Sequence, residues 1–218
     1  MPKRTKPITD EILDYIERTF CAEEPFPRPA AARTEVHISA IEGKFLQIIL
    51  QIAGAINVIE VGTMHGYSTA WLASSLAENG KLISIEKNRE NYEQACANLS
   101  ALPNWKNIQL VNEDALVYLE TLPSASFDAM FIDANKAAYP VYLQEAGRLL
   151  KPGGVLLADD SLLFAEVWLN CNHCELSYME LGIKKFNDDL SKSKFFKGMV
   201  LPILHGITIA FRTDVESP

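Results

Sequence analysis

From residue 57 onward the chain repeats one rhythm: a short apolar run, a turn, a helical stretch, then the same again. The apolar runs are NVIEV, KLISIE, NIQLVN, FDAMFID and VLLAD. Between them lie YSTAWLASSLAE, NRENYEQACANLSAL, DALVYLETL and KAAYPVYLQEAGRLL. Strands that alternate with helices build βαβ units, and their crossovers make the sheet mostly parallel. The runs are apolar almost throughout, as strands covered on both faces require. KPGG reads as a sharp turn ahead of VLLAD. Further on, a helix is expected over 178–190. GMVLPI and GITIAF then follow, linked by a Leu204-His205-Gly206 turn, which suggests an antiparallel pair at the sheet edge.

The first 56 residues follow a different pattern. Ile8, Ile12, Ile16 and Phe20 are spaced by four and mark one stripe of an amphipathic helix. EPFPRPAA interrupts it with stiff proline turns. Ser39 and Glu42 then form an S-x-x-E capping box ahead of FLQIILQIA, a second helix. These two helices suit a lid or a dimer surface. The chain of 218 residues is expected to be a single domain, 1–218, with 1–56 as that helical region and 57–218 as the core. MPKRTKPITDEI has basic residues but no apolar segment after them, and no run approaches the length of a membrane span. Cys21 and Cys96 stand alone in the sequence, so the reading is a reduced, cytoplasmic protein. The net charge of −8 disfavours general nucleic-acid binding. Lys184, Lys185, Lys192, Lys194 and Lys197 are a local exception and read first as a solvated face.

In an open parallel sheet, ligands bind beyond the carboxyl ends of the strands. The first strand end carries Glu60, Gly62, His65, Gly66, Tyr67 and Ser68. The second carries Glu86, and the third Asp114. The fourth carries Asp133, Asn135 and Lys136, and the fifth Asp159 and Asp160. Glycines let backbone N–H groups approach a ligand, and a following helix start favours an anion. Glu86 is placed to accept hydrogen bonds from a ribose diol. A glycine loop with such an acid fits a dinucleotide or S-adenosylmethionine (SAM). E-V-G-T-M-H-G lacks the second glycine of G-x-G-x-x-G, which favours SAM.

The stretch VLLADDSLL at 155–163 ends a core strand in two adjacent acids. With Asp133 on the neighbouring strand, three carboxylates would raise one another's pKa unless a cation neutralises them. Oxygen-only ligands point to Mg²⁺, with Ca²⁺ or Mn²⁺ as the other hard ions. The alternative is that Asp159 or Asp160 caps a following helix.

Through VIEVGTMHGYST, ISIEKNRENYEQA, FDAMFIDANKAAYPVYL, LLKPGGVLLADDSL and FNDDL…LPILHGITIAF, the chain resembles the metal-dependent O-methyltransferases of the catechol and caffeoyl-CoA type. The resemblance implies a Rossmann-like α/β fold: a seven-stranded, mostly parallel sheet with an antiparallel C-terminal pair and helices on both faces. It also implies a homodimer. By position, Asp133, Asp159 and Asp160 would hold the metal. Glu60, Gly62, Thr63 and Ser68 would hold the methionine end of SAM, Glu86 its ribose, and Asp114 and Ala115 its adenine. Val36 would close over the cofactor, which Asp133 also borders. Lys136, in D-x-x-K, falls where the family places a general base. Its other reading is as a partner of the acids, which would make it a poor base.

The expected reaction is methyl transfer to a hydroxyl of a catechol-like small molecule. The alternative from the same family is methylation of a hydroxylated uridine in tRNA, for which the C-terminal lysines would grip phosphate. Four departures stand out. Asp160 replaces the family's usual Asn, Asn135 replaces an Asp, and His65 stands where Thr is common. The loop SLLFAEVWLNCNHCEL lacks the usual Trp-Gly pattern. Its Cys171, His173 and Cys174 lack the second Cys pair that a zinc site needs.

Overall fold

A computed structural model describes residues 8–26, 37–163, 167 and 176–214. The expected strand–helix alternation is realised. Two helices, α1 (Asp10–Phe20) and α2 (Ala40–Ala53), precede β1 (Asn57–Val61), α3 (Tyr67–Ser75), β2 (Lys81–Glu86), α4 (Arg89–Leu99) and β3 (Ile108–Asn112). Then come α5 (Ala115–Glu120), β4 (Phe127–Ile132), α6 (Tyr139–Leu149), β5 (Leu150–Ala158), α7 (Tyr178–Ser191), β6 (Phe196–Leu201) and β7 (Ile207–Arg212). Among the described residues, seven strands form one sheet in the order β3-β2-β1-β4-β5-β7-β6. The first five run parallel, and β7 is antiparallel to both β5 and β6. After β3 the chain crosses back to lay β4 beside β1. The connections therefore diverge between these two strands and leave a crevice at their carboxyl ends.

The sheet is covered on both faces, as the apolar runs require. Met130 and Ile132 of β4 join a cluster with Leu143, Ala146 and Phe186 of α6 and α7. Ala129 and Phe131, one residue out of phase, join Leu46, Trp71 and Leu72 of α2 and α3. Each such large apolar side chain, fully buried, contributes about 1.5–3 kcal/mol. Gly43 lets α2 approach α3 closely, since a Cβ there would lie 2.4 Å from the Trp71 ring. The Ser39–Glu42 capping box opens α2 as expected, and Gly54 ends it in a left-handed conformation.

Two expectations need correction. KPGG is not a turn ahead of the fifth strand but an irregularity within it. Phe127 pairs with Leu150, yet Ala129 already pairs with Val155. Gly153, at φ +79, makes this excursion possible. In α1 the apolar stripe forms, but no residue of the helix is buried. Ile8 precedes the helix, and Ile8, Ile12 and Phe20 are exposed.

Candidate active site

The β1–α3 turn is built on a close approach between neighbouring strand ends. Gly62 has φ +100, and a Cβ on it would lie 2.0 Å from the Asp133 carbonyl oxygen. Only glycine allows β1 and β4 to meet there. Gly66, at φ +88, starts α3.

Glu60 lies beneath this turn and is fully buried. Its carboxylate accepts from Ser68 Oγ and Thr69 Oγ1 at 2.6 Å each and from Ser84 Oγ at 2.5 Å. Thr63 is also buried, with its hydroxyl 2.5 Å from that of Ser84. Burial pushes the Glu60 carboxyl up to about 7, against the pull of the three hydroxyls. Glu60 thus braces the first turn of α3 from below and does not line the crevice.

At the end of β2, Glu86 takes the Met64 N–H on one oxygen (2.8 Å) and the Asn88 N–H on the other (2.7 Å). Beyond β3, Asp114 caps α5 by accepting the Leu116 N–H at 2.9 Å, and its other oxygen meets Lys87 Nζ at 2.7 Å. Lys87 and this capping bond hold the Asp114 carboxyl below its ordinary value. A cavity of ≈ 410 Å³ opens here, lined by Gly62, Glu86, Asp114, Ala115, Asp133 and Tyr142 among others.

The acids of β4 and β5 converge next to it. Asp133, Asp159 and Asp160 each offer an oxygen, and the three oxygens lie within 4.8 Å of one another. Lys136, only 8% exposed, sits among them. Its Nζ is 2.7 Å from Asp133 Oδ1, 2.9 Å from Asp160 Oδ2 and 2.9 Å from Tyr139 Oη. Asp133 and Tyr139 accept hydrogen bonds from this ammonium, and Asp160 faces it as an ion pair. Tyr139, fully buried, has its hydroxyl 3.0 Å from the Asp159 carbonyl and 3.2 Å from that of Ile132. Burial opposes the Lys136 charge, but Tyr139, Asp133 and Asp160 more than offset it and hold its pKa well above the ordinary value. Helix α7 supports this corner from outside. Gly182 lies so close that a Cβ would be 2.4 Å from the Lys136 carbonyl oxygen.

Asp159 is 6% exposed, and its Oδ1 is buried with no hydrogen-bond partner. Its carboxyl is pushed well up, first by burial, then by Asp133, Glu42 and Asp160. Glu42 is itself 4% exposed and is raised by burial, with further contributions from Asp160 and Asp133. The four acids border a cavity of ≈ 550 Å³ together with His37, Gly62, Thr63, Ser68, Lys136 and His205. Ile38, Leu163, Met179 and Leu204 provide its apolar wall.

Apart from Glu60 and Val36, the expected site residues border two adjoining cavities that share Gly62, Met64, Asp133 and Ala134. Asp133, Asp159, Asp160, Lys136, Gly62, Thr63 and Ser68 border one. Glu86, Asp114 and Ala115 border the other. Val36 and the Cys171, His173 and Cys174 loop lie outside the described residues. The backbone after Asp160 is a turn as far as Leu163, and residues 164–166, in the proposed capped helix, lie outside the description. Sequence reasoning missed three residues. Glu42 was legible only as a capping residue, Tyr139 as part of a helix, and His205 as a turn residue. His65, flagged for its unusual identity, has its Nδ1 3.2 Å from His37 Nε2. A larger cavity of ≈ 810 Å³ lies at the amino ends of the strands, around Asn57, Lys81 and Phe127. It is on the wrong side of the sheet for an α/β active site.

Comparison with known proteins agrees with this geometry. The O-methyltransferase family profile matches residues 26–213. A catechol O-methyltransferase of Niastella koreensis is 32% identical over 177 residues, covering 80% of this chain and 79% of its own. A caffeoyl-CoA O-methyltransferase of Eucalyptus gunnii is 29% identical over 223 residues, covering 95% and 90%. The O-methyltransferase TomG of Streptomyces achromogenes, solved in complex with SAM, superposes with a TM-score of 0.84 at 26% identity, covering 93% of this chain and 96% of that one. This chain therefore belongs to the O-methyltransferase family, in the class that includes the catechol and caffeoyl-CoA enzymes.

Proposed function

We propose that this enzyme transfers a methyl group from SAM to a hydroxyl of a catechol-like small molecule, with a divalent cation held by Asp133, Asp159 and Asp160. One observation carries the cation reading: the buried Asp159 Oδ1, lacking a hydrogen-bond partner, within a cluster of three carboxylates. An unpaired buried carboxylate oxygen costs several kcal/mol, and a hard cation removes that cost. Mg²⁺ suits the all-oxygen set best, with Ca²⁺ or Mn²⁺ next. Such an ion supplies Lewis acidity that lowers the pKa of a nearby hydroxyl. SAM supplies the electrophilic methyl group.

The chain's own residues do the rest. Gly62, Thr63 and Ser68 line the wall proposed for the methionine end, with Glu60 holding Ser68 in place from below. Glu86 has lone pairs left for a ribose diol, and Asp114 and Ala115 flank the space for adenine. Val36 is proposed to close the cofactor side. Ile38, Leu163, Met179 and Leu204 offer an apolar surface for an aromatic ring. Lys136 serves as proton acceptor only if it gives up one of its three contacts and its proton; a cation beside Asp133 and Asp160 would weaken the field that keeps it charged. While those contacts persist, it clamps the two acids.

Residues 1–56 are proposed as a lid or a dimer surface within a single domain, since Ile8, Ile12 and Phe20 of the apolar stripe are exposed. No described helix is long and apolar enough to cross a membrane, and a cytoplasmic location is part of the proposal. The net charge of −8 disfavours a nucleic-acid acceptor, and tRNA is kept as the alternative.

An acceptor screen of catechols, caffeoyl esters, flavonoids and modified tRNA, with and without EDTA, tests the reading. Asp133→Ala should abolish Mg²⁺-dependent turnover and leave S-adenosylhomocysteine affinity within about three-fold. Unchanged turnover would overturn the cation site.

A further inference from the structure

His205 lies outside every role assigned so far, yet it borders the acid cavity. Its Nδ1 is 3.4 Å from Asp160 Oδ1. The other oxygen of Asp160 faces Lys136 Nζ at 2.9 Å. The carboxylate is therefore flanked on both sides, by an ammonium and by an imidazole nitrogen.

The backbone determines this arrangement. Ser161 N–H donates to the Gly206 carbonyl at 2.7 Å, and Leu162 N–H donates to the His205 carbonyl at 2.8 Å. Thr208 Oγ1 bonds Ser161 Oγ at 2.7 Å. Gly206 has φ +90, and a Cβ there would lie 2.5 Å from Leu162. The β6–β7 turn is thus fastened to the turn that follows Asp160, and Asp160 itself has φ +54. Both side chains project from backbones that cannot slide past each other.

The chemistry of the pair is specific. Both approaches are ion-pair separations, and the 3.4 Å one attracts a carboxylate only when the imidazole offers a proton on Nδ1. Lys136 can only donate, and an imidazole can present an N–H at Nδ1. Groups that hold a ligating carboxylate in one orientation commonly change metal affinity by about 10- to 100-fold when removed.

We propose that His205 is a positioning residue: it fixes the orientation of the Asp160 carboxylate and so sets the affinity of the cation site. The inference rests on the cation reading above. It also gives the β6–β7 turn a role in the site beyond closing the sheet edge.

Mn²⁺ binding to the full chain, measured by titration calorimetry without acceptor, tests it. Wild type should bind. His205→Phe should bind about 10-fold or more weakly, and His205→Asn, whose amide can donate from a position close to Nδ1, should stay within about three-fold of wild type. S-adenosylhomocysteine affinity, measured on the same samples, should change by less than about three-fold and reports that the crevice is intact. If wild type binds no Mn²⁺, the cation reading falls and this proposal with it. If wild type binds and His205→Phe binds equally well, this proposal alone is wrong. Equal weakening in both variants would also refute it, because the donor would then not be what matters.

Discussion

Glu60 gives the sharpest quantitative test. It is fully buried, and its carboxyl is raised from an ordinary 4.5 to about 7. Burial is the main cause; the three hydroxyls oppose it without cancelling it. The sign follows from proton counting. Between pH 4.5 and 7 the folded state holds this proton more tightly than the unfolded chain does. Stability from this group is therefore present in full below its unfolded pKa and is lost as pH rises through the folded value. The displacement is worth about 3 kcal/mol at about 1.36 kcal/mol per pH unit, and about 2–3 kcal/mol of it falls between pH 5 and pH 8.

Glu60→Gln removes the titration but keeps most of the bonding. If the amide nitrogen takes the place of Oε1, Thr69 and Ser84 still donate to oxygen, and only the Ser68 hydroxyl has to turn. Urea unfolding in EDTA at pH 5, 6, 7 and 8 is the assay. Asp159 and Glu42 also titrate upward, but they do so in both proteins and cancel in the difference. Wild type should lose about 2–3 kcal/mol more than Glu60→Gln over that range. Parallel pH profiles for the two proteins would show that Glu60 is not held at a raised pKa and would refute the account of its burial.

Gly62→Ala should cost about 1–3 kcal/mol through its left-handed backbone alone, and more through the 2.0 Å contact with the Asp133 carbonyl; calorimetric unfolding measures the loss. Glu86→Ala should weaken S-adenosylhomocysteine by about ten-fold or more, as expected when hydrogen bonds to a charged group are lost, and an unchanged affinity would remove the ribose contact. Asp160→Asn should raise turnover on catechols if the third negative charge hinders formation of a substrate oxyanion; an unchanged or lower rate would count against that view.

The sheet was legible because each strand is a short apolar run closed by a polar turn. The rim of acids was legible because ligands in such sheets gather at the carboxyl ends of the strands. What sequence could not give was direction. Glu60 and Glu86 both end strands, yet Glu60 points under the turn into three hydroxyls and Glu86 toward the crevice. Glu42 fits the capping box expected of it, and nothing in S-x-x-E announces that the same side chain is buried beside Asp133 and Asp160. Asp160 and His205 are 45 residues apart and meet only because β7 runs back along β5. KPGG was misread because its composition is that of a turn, while the sheet on either side is strong enough to carry it as an irregularity.

The contact between Gly62 and the Asp133 carbonyl also shapes the crevice. Gly62 and Asp133 stand where the two cavities adjoin, with Met64 and Ala134 also common to both. Any side chain at position 62 would push these two strand ends apart and so reshape both cavities at once.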